Sequence, residues 1–268
     1  MQVRGLPNLW TDLKNARARF LAVDYDGTLA PFRIKRMDAF PVKDAKTALE
    51  RIVHMPATSV AVISGRPVSE VMTLLDLQCV TVIGSHGWEE KRPGQSTFTH
   101  PLTPFQSDGL ERGKREAEIF CDSGRIEPKA ASVAVHTRGM DTKSEDKIQS
   151  EIIAAWSELE KENELEIRLF NGGVELRATG WDKGRALETL MKENRLDTYF
   201  VYIGDDQTDE DAFMAVRGRG VGIRVGPVDA SSVATGCLKD CGEVVEFLNF
   251  WSEILDCERT GENRCQNW

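Results

Sequence analysis

The sequence lacks any apolar run near the roughly 20 residues that a membrane-crossing helix needs. Residues 1–14 also lack the apolar segment of a secretory signal, so no membrane partner and a cytoplasmic location are expected. Positive charge is in deficit, with 34 Lys and Arg against 43 Asp and Glu and a net charge of −9. Nonspecific nucleic-acid binding needs clustered Lys and Arg facing phosphates, so nucleic acid is not an expected partner. The six cysteines, at 79, 121, 237, 241, 257 and 265, contain no CxxC pair. Such scatter supports neither a disulfide framework nor a zinc site, although Cys237 and Cys241 could be neighbours. No internal repeat and no low-complexity tract is present, and a monomer is expected.

What is present is an ordinary globular balance, 41% hydrophobic and 29% charged over 268 residues, enough for one large domain or two modest ones. The chain is organised around residues 20–29, FLAVDYDGTL. The apolar run predicts a buried interior strand of a parallel sheet, ending in Asp24 and Asp26. In open α/β sheets ligands bind beyond the carboxyl ends of strands, where these two carboxylates emerge. They repel each other unless a cation or a shared proton intervenes. The plain alternative is an acidic turn, with Asp26-Gly27 as its turn residues.

Around this stretch the spacing predicts helices over 6–18, 42–54 and 68–75 and strands over 58–63 and 80–84. Pro67 suits the first position of a helix. Ser64 therefore stands where a helix N-terminus favours anions, or simply caps that helix. Strand and helix alternating at this pitch indicate a parallel α/β sheet. The rhythm changes after about residue 97. Residues 106–179 read as a second α/β unit inserted into the first, which comprises 1–105 and 180–268. In the insert, helices are expected over 105–121 and 141–162 and strands over 124–127, 131–137, 165–170 and 174–177. The last two form a hairpin turned at Asn171-Gly172-Gly173.

Beyond the insert, a helix over 181–194 has Lys183 in its first turn, where a cation opposes the helix dipole and calls for another reason. A buried strand over 198–203 empties into GDDQTDED, five carboxylates in seven residues. Hard oxygen ligands at a strand end suit Mg²⁺, while the helix dipole alone would account for Glu210 and Asp211. A last core strand is expected over 221–225 and a closing helix over 243–254, with residues 260–268 frayed.

In order, DYDGTL at 24–29, the strand-end Ser64, Lys183 and GDDQTDED at 204–211 resemble the four motifs of the haloacid-dehalogenase-like phosphohydrolases. The likeness extends to the trehalose-6-phosphate phosphatases through SGR at 64–66, GSHG at 84–87, EPK at 127–129, SVAVHTR at 132–138, VELR at 174–177 and WDKG at 181–184. It covers nearly all of residues 18–250. It implies a Rossmann-like core with an α/β cap inserted after the third strand, and Mg²⁺-dependent hydrolysis of trehalose 6-phosphate. By resemblance Asp24 is the nucleophile that becomes an aspartyl-phosphate, and Asp26 the general acid and then base. Thr28, Ser64 and Lys183 hold the phosphoryl oxygens. The metal falls to Asp24, Asp205 and the Asp26 backbone carbonyl, with Asp206 and Asp209 supporting or completing the set.

Glu127, Lys129 and Glu175 resemble the charged trio with which family caps grip the distal glucose. A surface ion pair between Glu127 and Lys129 is the plain alternative. Gly65, Arg66, His86 and His136 are expected to line the cleft. Two departures touch the sugar-binding half: Ser85 stands where the family has Asn, and Ala178-Thr179 replaces a Pro-containing turn. The chain also lacks the synthase-like domain fused to many relatives, so a free-standing enzyme is expected. The rival readings are a phosphatase for another phosphorylated disaccharide or glycosyl-glycerol compatible solute, and a silent sugar-phosphate sensor. The presence together of Asp24, Asp26, Lys183 and Asp205 speaks against the sensor.

Overall fold

Strand β1 (Ala18–Val23) is apolar towards both faces, and both faces are covered. Leu21 and Val23 enter one hydrophobic cluster, while Phe20 and Ala22 enter another on the opposite side. The computed structural model that shows this describes residues 1–260 apart from 171 and 228, with side chains as far as residue 255. The expected turn residue Asn171, the stretch from 261 onward and the side chains of Cys257 and Cys265 lie outside the described residues. The chain divides into two compact units, Met1–Thr97 with Lys183–Trp268, and Phe98–Asp182.

In the first unit, helix α1 (Leu9–Asn15) precedes β1, and α2 (Ala45–Val53), β2 (Thr58–Ile63), α3 (Val68–Leu75), β3 (Thr81–Gly84) and β4 (Glu89–Lys91) follow. A two-residue strand, β5 (Phe98–Thr99), opens the second unit. That unit continues with α4 (Pro104–Phe120), β6 (Ile126–Pro128), β7 (Ser132–His136), α5 (Thr142–Glu162), β8 (Leu165–Phe170) and β9 (Gly173–Ala178). The first unit resumes with α6 (Lys183–Glu193), β10 (Thr198–Gly204), α7 (Glu210–Ala215), β11 (Gly220–Val225), β12 (Gly236–Leu238) and α8 (Cys241–Thr260).

The sheet of the first unit runs β12-β11-β10-β1-β2-β3-β4. It is parallel except that β4 pairs antiparallel with β3. β1 therefore lies between β2 and β10, in register Val23↔Val62 and Val23↔Ile203. Residues of α1, α2, α3 and α8 bury one face, and those of α6 and α7 the other. This is the doubly covered α/β sheet that the apolar strands demand. No helix among the described residues is long and apolar enough to cross a membrane.

Several boundaries differ from the sequence reading. α1 starts at Leu9 because residues before it make only single turns, and α8 starts two residues early at Cys241. Residues 123–125 form a 3-10 turn before β6 instead of strand. β4 and β12 were not legible, since three-residue strands carry too little periodicity to register. Pro67 is the N-cap residue of α3 rather than its first helical residue, and its side chain can cap nothing. The first amide of that helix, Val68, donates to the Glu89 carboxylate (3.2 Å), so neither Ser64 nor an anion takes that donor.

In the second unit the sheet order is β6-β7-β9-β8, antiparallel throughout. Val133, Val135, Val174 and Leu176 are buried together with Ile152, Trp156 and Leu159 of α5. Register places Glu127 opposite Ala134, Ala134 opposite Glu175, and Glu175 opposite Arg168. Because side chains alternate along strands, Glu127, Ser132, His136, Glu175 and Arg177 share one face of this sheet.

Candidate active site

Two acid-bearing loops leave neighbouring strands at the same level. Asp24 follows β1 directly and donates its backbone N–H to Ile203 O of β10 (2.8 Å), while Asp205 follows β10. Tyr25 accepts both Leu29 and Ala30 amides, so the D-x-D segment is closed into a tight turn. Gly27 sits in that turn at φ +73°, and a Cβ there would stand 2.0 Å from the Asp205 carboxylate. The glycine thus lets the two acidic loops interlock. Thr28, fully buried, turns its hydroxyl towards Asp205 Oδ1 at 3.4 Å.

Lys183 opens α6 and is buried among these acids, with Nζ 3.0 Å from Asp24 Oδ2 and 2.8 Å from Asp209 Oδ1. The charge that the helix dipole disfavours is held by two carboxylates. Asp209 has no spare acceptor position: Oδ1 takes Lys183 and the Tyr202 hydroxyl (2.5 Å), and Oδ2 takes the amides of Asp205 and Asp206 (3.0 and 2.9 Å). It fixes the loop that presents Asp205. Asp206 is half-exposed and accepts the Gln207 amide (2.7 Å).

Asp24, Asp205 and Asp209 each offer an oxygen within 4.8 Å of the others. Burial pushes the Asp24 carboxyl up to about 8 against the opposing pull of the Lys183 charge, and burial together with the charges of Asp24 and Asp209 pushes that of Asp205 up to about 9. Burial works to lower the ammonium of Lys183, but Asp209 and Asp24 outweigh it and hold the group firmly charged. One cation cannot neutralise three crowded carboxylates. The set therefore has the charge deficit and hard oxygen donors that a divalent cation such as Mg²⁺ fits.

Asp26 points elsewhere. Its two oxygens receive the Arg66 guanidinium, Nε to Oδ2 at 2.5 Å and Nη2 to Oδ1 at 2.7 Å. Arg66 also lies over the Tyr25 ring, 5.6 Å from its centroid. The expected cleft-lining arginine thus spends its fork on Asp26. Ser64, buried at the end of β2, accepts the Arg66 amide on its hydroxyl (3.1 Å). No residue pairing places it directly on Asp24, but register sets it at the same sheet edge. His86 packs its imidazole on Gly65, where a Cβ would meet it at 2.6 Å. Ser85, His86 and Gly87 all have positive φ. Asn tolerates this conformation better than Ser does, so Ser85 needs support from its surroundings. It is held by its hydroxyl donating to Glu89 (2.7 Å).

In the second unit Glu127 and Glu175 are buried, and Lys129 and His136 are half-buried. Lys129 Nζ pairs with Glu175 Oε1 (2.8 Å), which also accepts the Ser132 hydroxyl (2.6 Å). Glu127 Oε2 meets His136 Nε2 at 2.7 Å. Cys237 and Cys241 are free thiols, on the carbonyls of Gly226 and Gly27 respectively. Sequence reasoning gave no role to Tyr202, although it heads the YIGDDQTDEDAF segment at 202–213, or to Glu89. Only the tertiary packing shows what they hold.

Comparison with solved structures gives the class. The C-terminal domain of Candida albicans trehalose-6-phosphate phosphatase superposes with a TM-score of 0.82 at 21% identity, over 92% of this chain and 96% of that one. A haloacid dehalogenase-like hydrolase from B. subtilis gives 0.60 at 17% identity, over 86% and 98%. The fold is that of the haloacid-dehalogenase-like hydrolases. The sequence model of the trehalose-phosphatase family matches residues 22–237. Probable trehalose-phosphate phosphatase 4 of rice (Oryza sativa subsp. japonica) is 33% identical over 238 residues, which are 84% of this chain and 64% of that protein's length. The chain belongs to the trehalose-phosphatase family.

Proposed function

We propose that the chain hydrolyses trehalose 6-phosphate to trehalose and phosphate through an aspartyl-phosphate on Asp24. The observation that carries this reading is the buried Lys183 joining Asp24 to the Asp205–Asp209 loop. Asp24 Oδ1 or Oδ2 attacks phosphorus and the sugar oxygen leaves with a proton from Asp26. Water, deprotonated by Asp26, then releases phosphate and restores Asp24. Lys183, Thr28 and Ser64 stabilise the charge that spreads over the phosphoryl oxygens.

Mg²⁺ would be held by Asp24, Asp205 and the backbone carbonyl of Asp26, where it neutralises phosphoryl charge. Asp209, whose acceptor positions are taken, supports this set by fixing the loop, and Asp206 stands beside it. The second unit supplies sugar selectivity through Glu127, Lys129 and Glu175, with His136 beside Glu127. Gly65 and His86 shape the phosphate side. A buried polar sheet face supports this role, since ionised side chains make the stronger bonds to sugar hydroxyls.

The test is phosphate release from trehalose 6-phosphate, glucose 6-phosphate and sucrose 6-phosphate, each with Mg²⁺ and with EDTA, for the wild type and Asp24→Asn. Mg²⁺-dependent release from the first ester, lost in the variant, is expected. Release from another ester would overturn the substrate. Unchanged turnover by Asp24→Asn would overturn the nucleophile.

A further inference from the structure

Arg66 is held from two sides. Towards the site, its Nε and Nη2 grip Asp26. Behind, Nη1 donates to the Arg36 carbonyl (3.0 Å) and to Glu70 Oε2 (3.3 Å). The other oxygen of Glu70 receives Arg36 Nη2 at 2.6 Å. Glu70 lies in the first turn of α3, a favoured place for a carboxylate, and its side chain is largely buried. The guanidinium is buried, so each of its donors needs a fixed partner.

We infer that Glu70 is a positioning residue for Asp26, acting through Arg66. An arginine side chain has several free torsions, and a clamp on Asp26 alone would follow wherever that carboxylate drifts. Glu70 and the Arg36 carbonyl anchor the guanidinium on rigid backbone at the start of α3 and on the 3-10 turn Arg36–Asp38. The fork then keeps one orientation, and Asp26 is aimed by it whatever else Asp26 bonds to. Displacement of a reacting group by an ångström is enough to slow chemistry strongly. Arg66 is accordingly a positioning residue too, rather than a contact to the sugar. No sequence motif points to Glu70, which reads as an ordinary helix-surface acid.

This inference rests on the proposed role of Asp26. The experiment is a single-turnover comparison of Glu70→Gln, Asp26→Asn and wild type. The substrates are trehalose 6-phosphate and p-nitrophenyl phosphate, whose leaving group departs without a proton. For Glu70→Gln, trehalose release is expected to slow roughly tenfold with KM within about twofold, while the p-nitrophenol burst keeps its rate. Equal slowing of both esters would mark a merely structural role and overturn the inference, as would no slowing of either. If Asp26→Asn slows both esters equally, the role of Asp26 fails and the inference with it. If the wild type turns over a different sugar ester, only the substrate reading fails, and the same ratio is read on that ester. A thermal melt checks that Glu70→Gln is folded. Should it not fold, Arg36→Ala removes the far end of the same bridge from a half-exposed side chain and is read in the same way.

Discussion

The Lys183 ammonium stands 3.0 Å from the Asp24 carboxylate, both groups buried, although they are carried by different layers of the fold. α6 lies on one face of the sheet and β1 runs through its middle. The contact completes the site and also stabilises the fold around it. Replacing Lys183 by Met leaves Asp24, Asp205 and Asp209 crowded without their cation. Breaking such a buried pair costs about 3–5 kcal/mol, and loss of a phosphoryl-stabilising charge costs roughly 10²–10³ in kcat. A melt and a steady-state assay are expected to show both losses. A variant with full stability would refute the structural half.

Gly27→Ala tests the interlock of the two acid loops. The added Cβ would stand 2.0 Å from Asp205, and a left-handed φ of +73° further disfavours alanine. Asp205 has to move. The expected result is a clear loss of Mg²⁺-dependent activity together with a weaker response of the melting temperature to Mg²⁺. An unchanged Mg²⁺ response would mean that Asp205 does not hold the metal.

The pH dependence of stability follows from the same acids. Burial raises the folded-state Asp24 and Asp205 groups to about 8 and about 9, above the ordinary 3.8. Their contribution to stability is therefore fully present below pH 3.8 and is lost as pH rises through about 8 to 9. A bound divalent cation offsets that loss by favouring the ionised carboxylates. Melts in EDTA should fall across this window, and Mg²⁺ should raise the melting temperature more at pH 8 than at pH 5. An equal rise at both would sink the assignment.

Lys129→Met in the second unit removes the ammonium that pairs with Glu175, a carboxylate that also accepts the Ser132 hydroxyl. If this pair reads sugar hydroxyls, kcat/KM for trehalose 6-phosphate should fall roughly 10–100-fold while p-nitrophenyl phosphate is turned over as before. Parallel losses on both esters would assign the pair to folding instead.

The α/β class was legible because interior strands such as β1 and β10 carry apolar runs, residues 20–23 and 199–203, and the family was legible because its motifs stand in order. Asp24, Lys183 and Asp205 were found that way and the fold brings them together. What the sequence could not show is which partner each charge takes. Arg66, expected to line the cleft, holds the Asp26 carboxylate in its fork. The EPK segment left a Glu127–Lys129 ion pair as the plain alternative to a sugar-gripping trio, and the register of the sheet also brings Lys129 to Glu175 and Glu127 to His136. Such choices depend on strand register and helix placement, which bring together residues 9 to 46 positions apart. The cap of α3 was misread for the same reason: Glu89, on an unforeseen strand, reaches Val68.

The position of β1 in the sheet bears on how the chain comes off the ribosome. β1 pairs with β2, which is made soon after it, and with β10, which begins 180 residues later at Thr198. At about 5–20 residues per second, the β10 side of β1 waits roughly 9–36 s for its partner. Through that interval an apolar strand edge that belongs in the centre of the sheet is open, a state prone to pairing with other chains. Protection by holding chaperones should therefore matter most while residues 24–198 are being synthesised, and the Asp24–Asp205 site can assemble only after that window closes.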